Sequence, residues 1–497
     1  MSLSETIANF VAEAIAEGWI DPLDEIYTRN RLLALVQASD YDEAVVPATP
    51  LPDLLTSMDQ LRTYAQAQGI VGTANYQVEQ FEAAVMDLIV PTPALTNQRF
   101  WEKYEESPQE ATDYYYQLQR TSDYIKTRHI AKNVEFIYPD ATYGNLEITI
   151  NLSKPEKTQA EIEAAKTASN AAYPKCALCL ENEGYSGRVD HPARQNHRLV
   201  RLMLGDQPFA MQYSPYVYYN EHSIFLNVHH VPMAINRRTF ENLFHIIDIL
   251  PHYFVGSNAD LPGVGGSILA HDHYQGGRHV FPMEEAPIDH PVTFTGYEDV
   301  VSGYVKWPMT TLRLVSADQQ RLIDLAEKIL GVWRSYSDEA VGVLAKTTAP
   351  HNTITPIARR RNGNYELDLV LRNNRTTPEL PGGIFHPHPD VQNIKQENIG
   401  LIEVMGLAIL PPRLLPELQT VKDYLVGNIP LEQVSAVHQS WTKQIAADFQ
   451  SGQDVDMFIR EKLGQTFVRI LSDAGVFKQD DAGFAAGDRF VSFVNAK

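Results

Sequence analysis

The chain has 497 residues, of which 44% are hydrophobic and 21% charged, with a formal net charge of -21. That length allows roughly three domains, and the negative charge argues against nonspecific binding to nucleic acid or to an anionic membrane surface. Cys176 and Cys179 are the only cysteines, so a disulfide scaffold is excluded and a reducing, cytoplasmic setting is expected.

The N-terminal stretch carries acids and lacks the basic segment of a signal peptide. No apolar run approaches the about 18 residues of a membrane span. Residues 1 to about 135 read as mostly helical: Phe10, Val11 and Ile15, then Leu32, Leu33, Leu35 and Val36, recur at helical spacing. Prolines at 47, 50, 91 and 93 interrupt them. From Val134 the pattern becomes strand-like, over 134–138 and 146–150, with turns expected at Pro139-Asp140 and Gly144-Asn145. A helix rich in Ala, Glu and Lys is expected over 156–172, followed by Cys176-Ala177-Leu178-Cys179 and a polar stretch to Arg201.

Residues 209–230 are aromatic and β-prone, and 239–250 form an apolar-faced helix. A glycine-rich loop (Gly263-Val264-Gly265-Gly266-Ser267) and a strand carrying His271-Asp272-His273-Tyr274-Gln275 come next. Helix is expected over 310–346, strand over 365–371, and three amphipathic helices over about 412–475. The strand-and-helix pattern occurs around 134–290 and again around 300–410, a candidate duplication.

Fourteen of the 16 histidines lie between His191 and His388, which places the chemistry in the central half. Residues two apart on a strand share a face, so His271, His273 and Gln275 are expected to point one way. Loop N–H groups at Gly265, Gly266 and Ser267 can approach phosphate oxygens. A neutral imidazole attacks phosphorus without a separate base. A carboxamide at 275 donates a hydrogen bond to a phosphoryl oxygen but supplies no proton, which favours nucleotidyl transfer over hydrolysis. The bland reading, a satisfied core histidine, holds for a lone His and loses to this cluster. A metal-binding cupin reading fails at its third ligand, because 277 and 278 are Gly277 and Arg278. Arg278 belongs to the basic residues near the motif that could meet a phosphorylated substrate, since charges are screened beyond about 8 Å. His386-Pro387-His388 is followed by Asp390 where the first motif has Gln275, a poor phosphoryl clamp. Cys176-x-x-Cys179 is half of a zinc knuckle; His229 or His230 with His271 could complete it, and two buried thiols are the alternative.

These segments, together with Tyr173-Pro174-Lys175-Cys176, His191-Pro192-Ala193-Arg194-Gln195-Asn196-His197, Tyr213-Ser214-Pro215-Tyr216 and Glu397-Asn398-Ile399-Gly400-Leu401-Ile402-Glu403-Val404-Met405-Gly406, resemble the galactose-1-phosphate uridylyltransferases of the second class. That family belongs to the histidine-triad superfamily. The resemblance implies an α+β fold of histidine-triad-like antiparallel sheets flanked by helices, with helical additions at both ends. With the pattern of elements along the chain, this gives an expected helical region over 1–133, a histidine-triad-like catalytic half over 134–295, a second α+β half over 296–411 and C-terminal helices over 412–497. The resemblance further implies UDP-glucose and galactose 1-phosphate as substrates, a ping-pong reaction through a uridylyl-histidine, no organic cofactor and a homodimer. His273 would be the nucleophile and Gln275 the phosphoryl stabiliser. Asn258 and Ser267 would contact the diphosphate and Glu403 the hexose. Cys176, Cys179, His230 and His271 would hold a structural zinc. Asp272 stands where the first class has proline. Two other readings are a dinucleoside polyphosphate phosphorylase, which shares the His-x-His-x-Gln arrangement, and a non-catalytic metal- or nucleotide-binding protein.

Overall fold

Apolar spacing and local caps account for most of the elements. The computed structural model describes residues 2–153, 171–265 and 268–497, so the helix expected over 156–172 lies almost wholly outside the described residues. The described chain forms two units: Met1–Arg128 with Lys154–Val217 and Ser223–His230, and His129–Ser153 with Tyr218–His222 and Val231–Lys497.

The first unit begins with the expected helices. Leu3–Ala16 starts at a reciprocal cap, in which Ser2 Oγ accepts from the Glu5 N–H and the Glu5 carboxylate accepts from the Ser2 N–H. Ile7, Phe10, Val11 and Ala14 face inward at helical spacing and pack with Met58, Leu61, Val85 and Met86. Pro108–Thr121 has proline in its first turn and Ser107 as cap. Its Tyr115 hydroxyl donates to the Arg198 carbonyl at 2.6 Å, and its ring lies 5.0 Å from that of Tyr213. Tyr213 ends the middle of three antiparallel strands, Val200–Leu204, Gln207–Tyr213 and Ser223–Asn227.

In the second unit the hairpin Val134–Asp140/Gly144–Ile150 forms as expected, with Leu407–Leu410 added in parallel. Its turn sits at 141–143, displaced from the expected dipeptides. Asp140 carries out the turn chemistry from the strand end: its Oδ1 accepts from the Thr142 and Tyr143 N–H groups. Seven strands then lie neighbour to neighbour: His273–Gly277, Phe254–Gly256, Asn352–Arg361, Asn364–Asn373, Thr311–Ser316, Val301–Val305 and Ile288–Val292. The segment 311–316 corrects the helix expected over 310–346. Leu312 and Leu314 alternate with Arg313 at the period of a strand, and the helix is confined to Gln319–Trp333.

Register divides these strands into two faces. Leu314, Leu367 and Ala358 lie on one face, with Tyr365, against which Phe244 of helix Arg237–Ile249 packs at 5.4 Å. The opposite face carries Arg313, Asp368, Arg359 and Glu366. Arg313 and Arg359 both bind the fully buried Asp368 carboxylate, each with a bond of 2.7 Å, and Arg359 also reaches Glu366 at 2.9 Å. Burial pushes the Asp368 carboxyl up, but the two guanidiniums outweigh it and hold it below the usual carboxylate value. Among the described residues, no helix is long and apolar enough to cross a membrane.

Removing the Asp368 charge strands two buried cations. Asp368→Asn is expected to cost about 3–5 kcal/mol, read as a lower chemical-unfolding midpoint. The carboxylate's contribution is present above its unfolded value of about 3.9 and is lost as the pH falls through its lower folded value. The wild type and the variant should therefore converge in stability in strong acid.

Candidate active site

His273 opens the strand His273–Gly277, and Gln275 follows on the same face. His271, expected on that strand, precedes it. The Asp272 N–H donates to the Val231 carbonyl at 2.7 Å rather than to the ladder, so regular pairing starts only at His273. This departure gives His271 a second role, because its carbonyl lies 2.7 Å from His273 Nδ1. A carbonyl can only accept, so Nδ1 carries the hydrogen and Nε2 keeps its lone pair. Nε2 has no protein partner among the described residues. Burial lowers the His273 pKa, the bond to the His271 carbonyl opposes it, and the neighbouring His271 ring lowers it further. The net shift is downward, so the ring is neutral at neutral pH, as a nucleophile requires.

Gln275 is half-buried, and its Oε1 lies 3.1 Å from His222 Nε2. His222 was not singled out in the sequence; it comes from the turn after Tyr218-Tyr219, and nothing local marks it. The turn reaches the strand because Gly277 lacks a side chain. A Cβ there would meet the Glu221 carbonyl at 2.6 Å and Tyr219 at 2.8 Å, at a φ of +154°. Arg278, a candidate substrate contact, forms an ion pair with the buried Glu221 carboxylate, which also accepts from the Tyr253 hydroxyl at 2.5 Å.

Across the ladder, Gln275 stands opposite Gly256, and Gly256 opposite Ile357. Thr355 and Arg372 share that face. Arg372 is a second residue that sequence reasoning passed over, although its place among alternating leucines and valines was a usable signal. It is 2% exposed and donates to Thr355 Oγ1 at 3.3 Å and to the Ile399 carbonyl at 2.9 Å. Burial pulls its guanidinium down to about 10, against the opposing charge of Glu403. No carboxylate hydrogen-bonds it among the described residues, so it can hold an anion.

Asn258 Oδ1 accepts from the Leu401 N–H at 3.0 Å, which leaves its amide N–H groups for another acceptor. Gly265, at φ +126°, lies near that amide: a Cβ would sit 3.4 Å from Asn258 Oδ1. Gly266 and Ser267 lie outside the described residues. Both oxygens of Glu403 are engaged, one by the Gly400 N–H and one by Lys395 Nζ, each at 3.0 Å. His386 and His388 bond the Gln396 and Ile384 carbonyls at 3.1 Å each.

In the first unit, Cys179 Sγ lies 3.4 Å from Cys176 Sγ and 3.1 Å from His230 Nδ1. His229 is exposed, so of the two adjacent histidines His230 joins the thiols. Asn182 Nδ2 fixes the loop by donating to the Cys176 and Cys179 carbonyls at 2.8 and 2.9 Å. Burial and the adjacent Cys176 push the Cys179 thiol up, so paired thiolates there call for a cation. Two sulfurs and an imidazole at these separations fit ligand bonds of about 2.0–2.3 Å to one zinc ion.

A model of the galactose-1-phosphate uridyl transferase N-terminal domain matches residues 18–232, and one of the C-terminal domain matches 246–443. Galactose-1-phosphate uridylyltransferase 1 of Streptococcus pneumoniae is 51% identical over 491 residues, covering 98% of this chain and 99% of that protein. The galactose-1-phosphate uridylyltransferase of Enterococcus faecalis is 50% identical over 494 residues, covering 99% and 98%. The chain belongs to the galactose-1-phosphate uridylyltransferase family. Among solved structures, a yeast Ap4A phosphorylase is similar at a TM-score of 0.34 and 11% identity, over 72% of this chain and 97% of that one. The uridylyltransferases named here are nucleotidyltransferases, the reaction class inferred from the strand motif.

Gly277→Ala forces the turn away from the strand. It is expected to destabilise the protein by about 1–3 kcal/mol through overpacking alone and to lower transferase activity. A melting curve and an exchange assay on the same preparation check both.

Proposed function

We propose that this protein transfers a uridylyl group from UDP-glucose to galactose 1-phosphate in two displacements. His273 Nε2 attacks the α-phosphorus of UDP-glucose. An N–P bond forms, the P–O bond to glucose 1-phosphate breaks, and glucose 1-phosphate leaves with the electron pair. A phosphate oxygen of galactose 1-phosphate then attacks the uridylyl-histidine, giving UDP-galactose and restoring the neutral imidazole. Nε2 starts with a lone pair and ends with one, so neither half-reaction needs a base to deprotonate the nucleophile.

The observation that carries this reading is the hydrogen bond from His273 Nδ1 to the His271 carbonyl, two residues before an amide on the same face. Gln275 would donate to the phosphoryl oxygens as negative charge builds on them. Having no proton to give, it does not assist water as an acid would. Asn258, Gly265, Gly266 and Ser267 would line the diphosphate, with Arg372 and Arg278 supplying positive charge and Glu403 contacting the hexose. The residues fit a structural zinc held by Cys176, Cys179 and His230, with His271 as the fourth ligand of the family pattern. The reaction would run in the cytoplasm.

Mixing the protein with UDP-glucose alone should add one uridylyl group, detected by intact mass and located on His273 by peptide mapping. His273→Ala should abolish both the adduct and the exchange. Gln275→Ala is expected to slow exchange by about 10²–10³-fold, the usual loss on removing one transition-state donor. Full activity of either variant would overturn its assigned role. For the metal, elemental analysis should find one zinc per chain. Cys176→Ser should lose the zinc and melt at a lower temperature, and prolonged chelation of the wild type should reproduce that shift.

A further inference from the structure

The two ends of a carboxamide are nearly isosteric and opposite in polarity. If Gln275 presents its nitrogen to a phosphoryl oxygen it stabilises developing charge. If it presents its oxygen it repels that charge. Whatever fixes the rotation of this one amide therefore decides whether Gln275 helps or hinders.

His222 is placed to fix it. Its Nε2 lies 3.1 Å from Gln275 Oε1, and the Gln275 nitrogen has no protein partner among the described residues. The imidazole is 4% exposed and lies against the rings of Tyr218 and Tyr219, at centroid distances of 5.5 and 4.6 Å. Burial in this aromatic slot pulls its pKa down to about 4, with only the Gln275 bond opposing, so the ring carries one hydrogen. Nδ1 is buried and has no hydrogen-bond partner among the described residues. Placing the hydrogen on Nδ1 would orphan a buried donor, the costlier arrangement. Placing it on Nε2 satisfies the donor against Gln275 Oε1. The bond then has one polarity, with the imidazole donating and the amide oxygen accepting. The amide N–H groups are turned away from His222 and are available to substrate.

The ring is itself held. It follows Glu221, whose carboxylate is gripped by Tyr253 and Arg278, in a turn seated on Gly277. His222 and Gln275 are 53 residues apart in sequence, so this turn is what brings them together.

We propose that His222 is a positioning residue for uridylyl transfer: by donating from Nε2 to Gln275 Oε1 it sets the amide so that its nitrogen faces the phosphoryl oxygens. This rests on the reading of Gln275 as phosphoryl stabiliser. The role is filled by a neutral donor at one location, not by imidazole as such. Glutamine at 222 can place an N–H near the Nε2 position, and asparagine, which matches Nδ1, cannot.

The test compares His222→Leu, His222→Gln and His222→Asn, each alone and combined with Gln275→Ala, in steady-state exchange between UDP-glucose and galactose 1-phosphate. Because misorienting a donor forfeits part of its 10²–10³-fold worth, His222→Leu and His222→Asn should lower kcat by about 10–100-fold, with KM for galactose 1-phosphate within about threefold. His222→Gln should recover most of that loss. With Gln275 already alanine there is no amide to orient, so His222→Leu should cost less than about twofold more. Equal losses in both backgrounds would reduce His222 to a packing role and overturn the proposal, as would full activity of His222→Leu. If His222→Leu does not fold, the glutamine and asparagine variants carry the same comparison. Full activity of Gln275→Ala alone would mark failure of the underlying reading of Gln275. A slow Gln275→Ala beside an unimpaired His222→Leu would mark failure of this inference only.

Discussion

The proposed chemistry depends on one hydrogen bond inside a three-residue stretch, from His273 Nδ1 to the carbonyl of His271. It fixes which ring nitrogen keeps its lone pair and which way the ring faces, without a carboxylate that would favour the charged form. Burial acts in the same direction by disfavouring imidazolium. The bond exists because the chain is not yet a regular strand at His271. Were His271 in the ladder, the geometry that brings its carbonyl to the next-but-one ring would be replaced by strand pairing. The Asp272 N–H bond to Val231 diverts the backbone at that point.

A second constraint is the division of labour between the two faces of the strands. One face is apolar and takes helices, as Phe244 does against Tyr365. The other holds charge: the Arg313–Asp368–Arg359 cluster and, on the same face, Arg372. Buried charges are tolerated when paired and hydrogen-bonded, and the cluster at Asp368 meets that condition within the protein. Among the described residues Arg372 hydrogen-bonds only neutral acceptors, Thr355 and the Ile399 carbonyl, so its charge is balanced from within less completely. The same face thus runs from an internally neutralised region to one suited to an anionic guest.

Glycine marks the points of close approach. Gly256 stands opposite Gln275, where a Cβ would meet Leu401 at 2.8 Å and the Pro356 carbonyl at 3.0 Å. Gly277 admits the turn that delivers His222. Both lack side chains because another part of the molecule occupies that space.

What the sequence determined by itself was local. Strand periodicity put His273 and Gln275 on one face, helical spacing gave the N-terminal bundle around Phe10 and Val11, and the Cys-x-x-Cys loop identified its own thiols. The family followed from stretches of consecutive residues. Where two local patterns competed, the reading failed: residues 311–316 were absorbed into the neighbouring helix because Leu312 with Val315 fits helical spacing while Leu312 with Leu314 fits the strand period over so short a run. The start of the strand carrying His273 and Gln275 was likewise misplaced at His271, since a backbone bond to Val231 leaves no trace in side-chain alternation. His222 was decided by tertiary structure alone, as was the absence of a hydrogen-bonding carboxylate at Arg372 among the described residues, whereas His230 was already preferred to His229 through the family resemblance and lies 3.1 Å from Cys179 Sγ. Periodicity reports which side of an element a residue faces. It does not report which residue, dozens of positions away, the path of the chain brings within 3.1 Å of an amide oxygen.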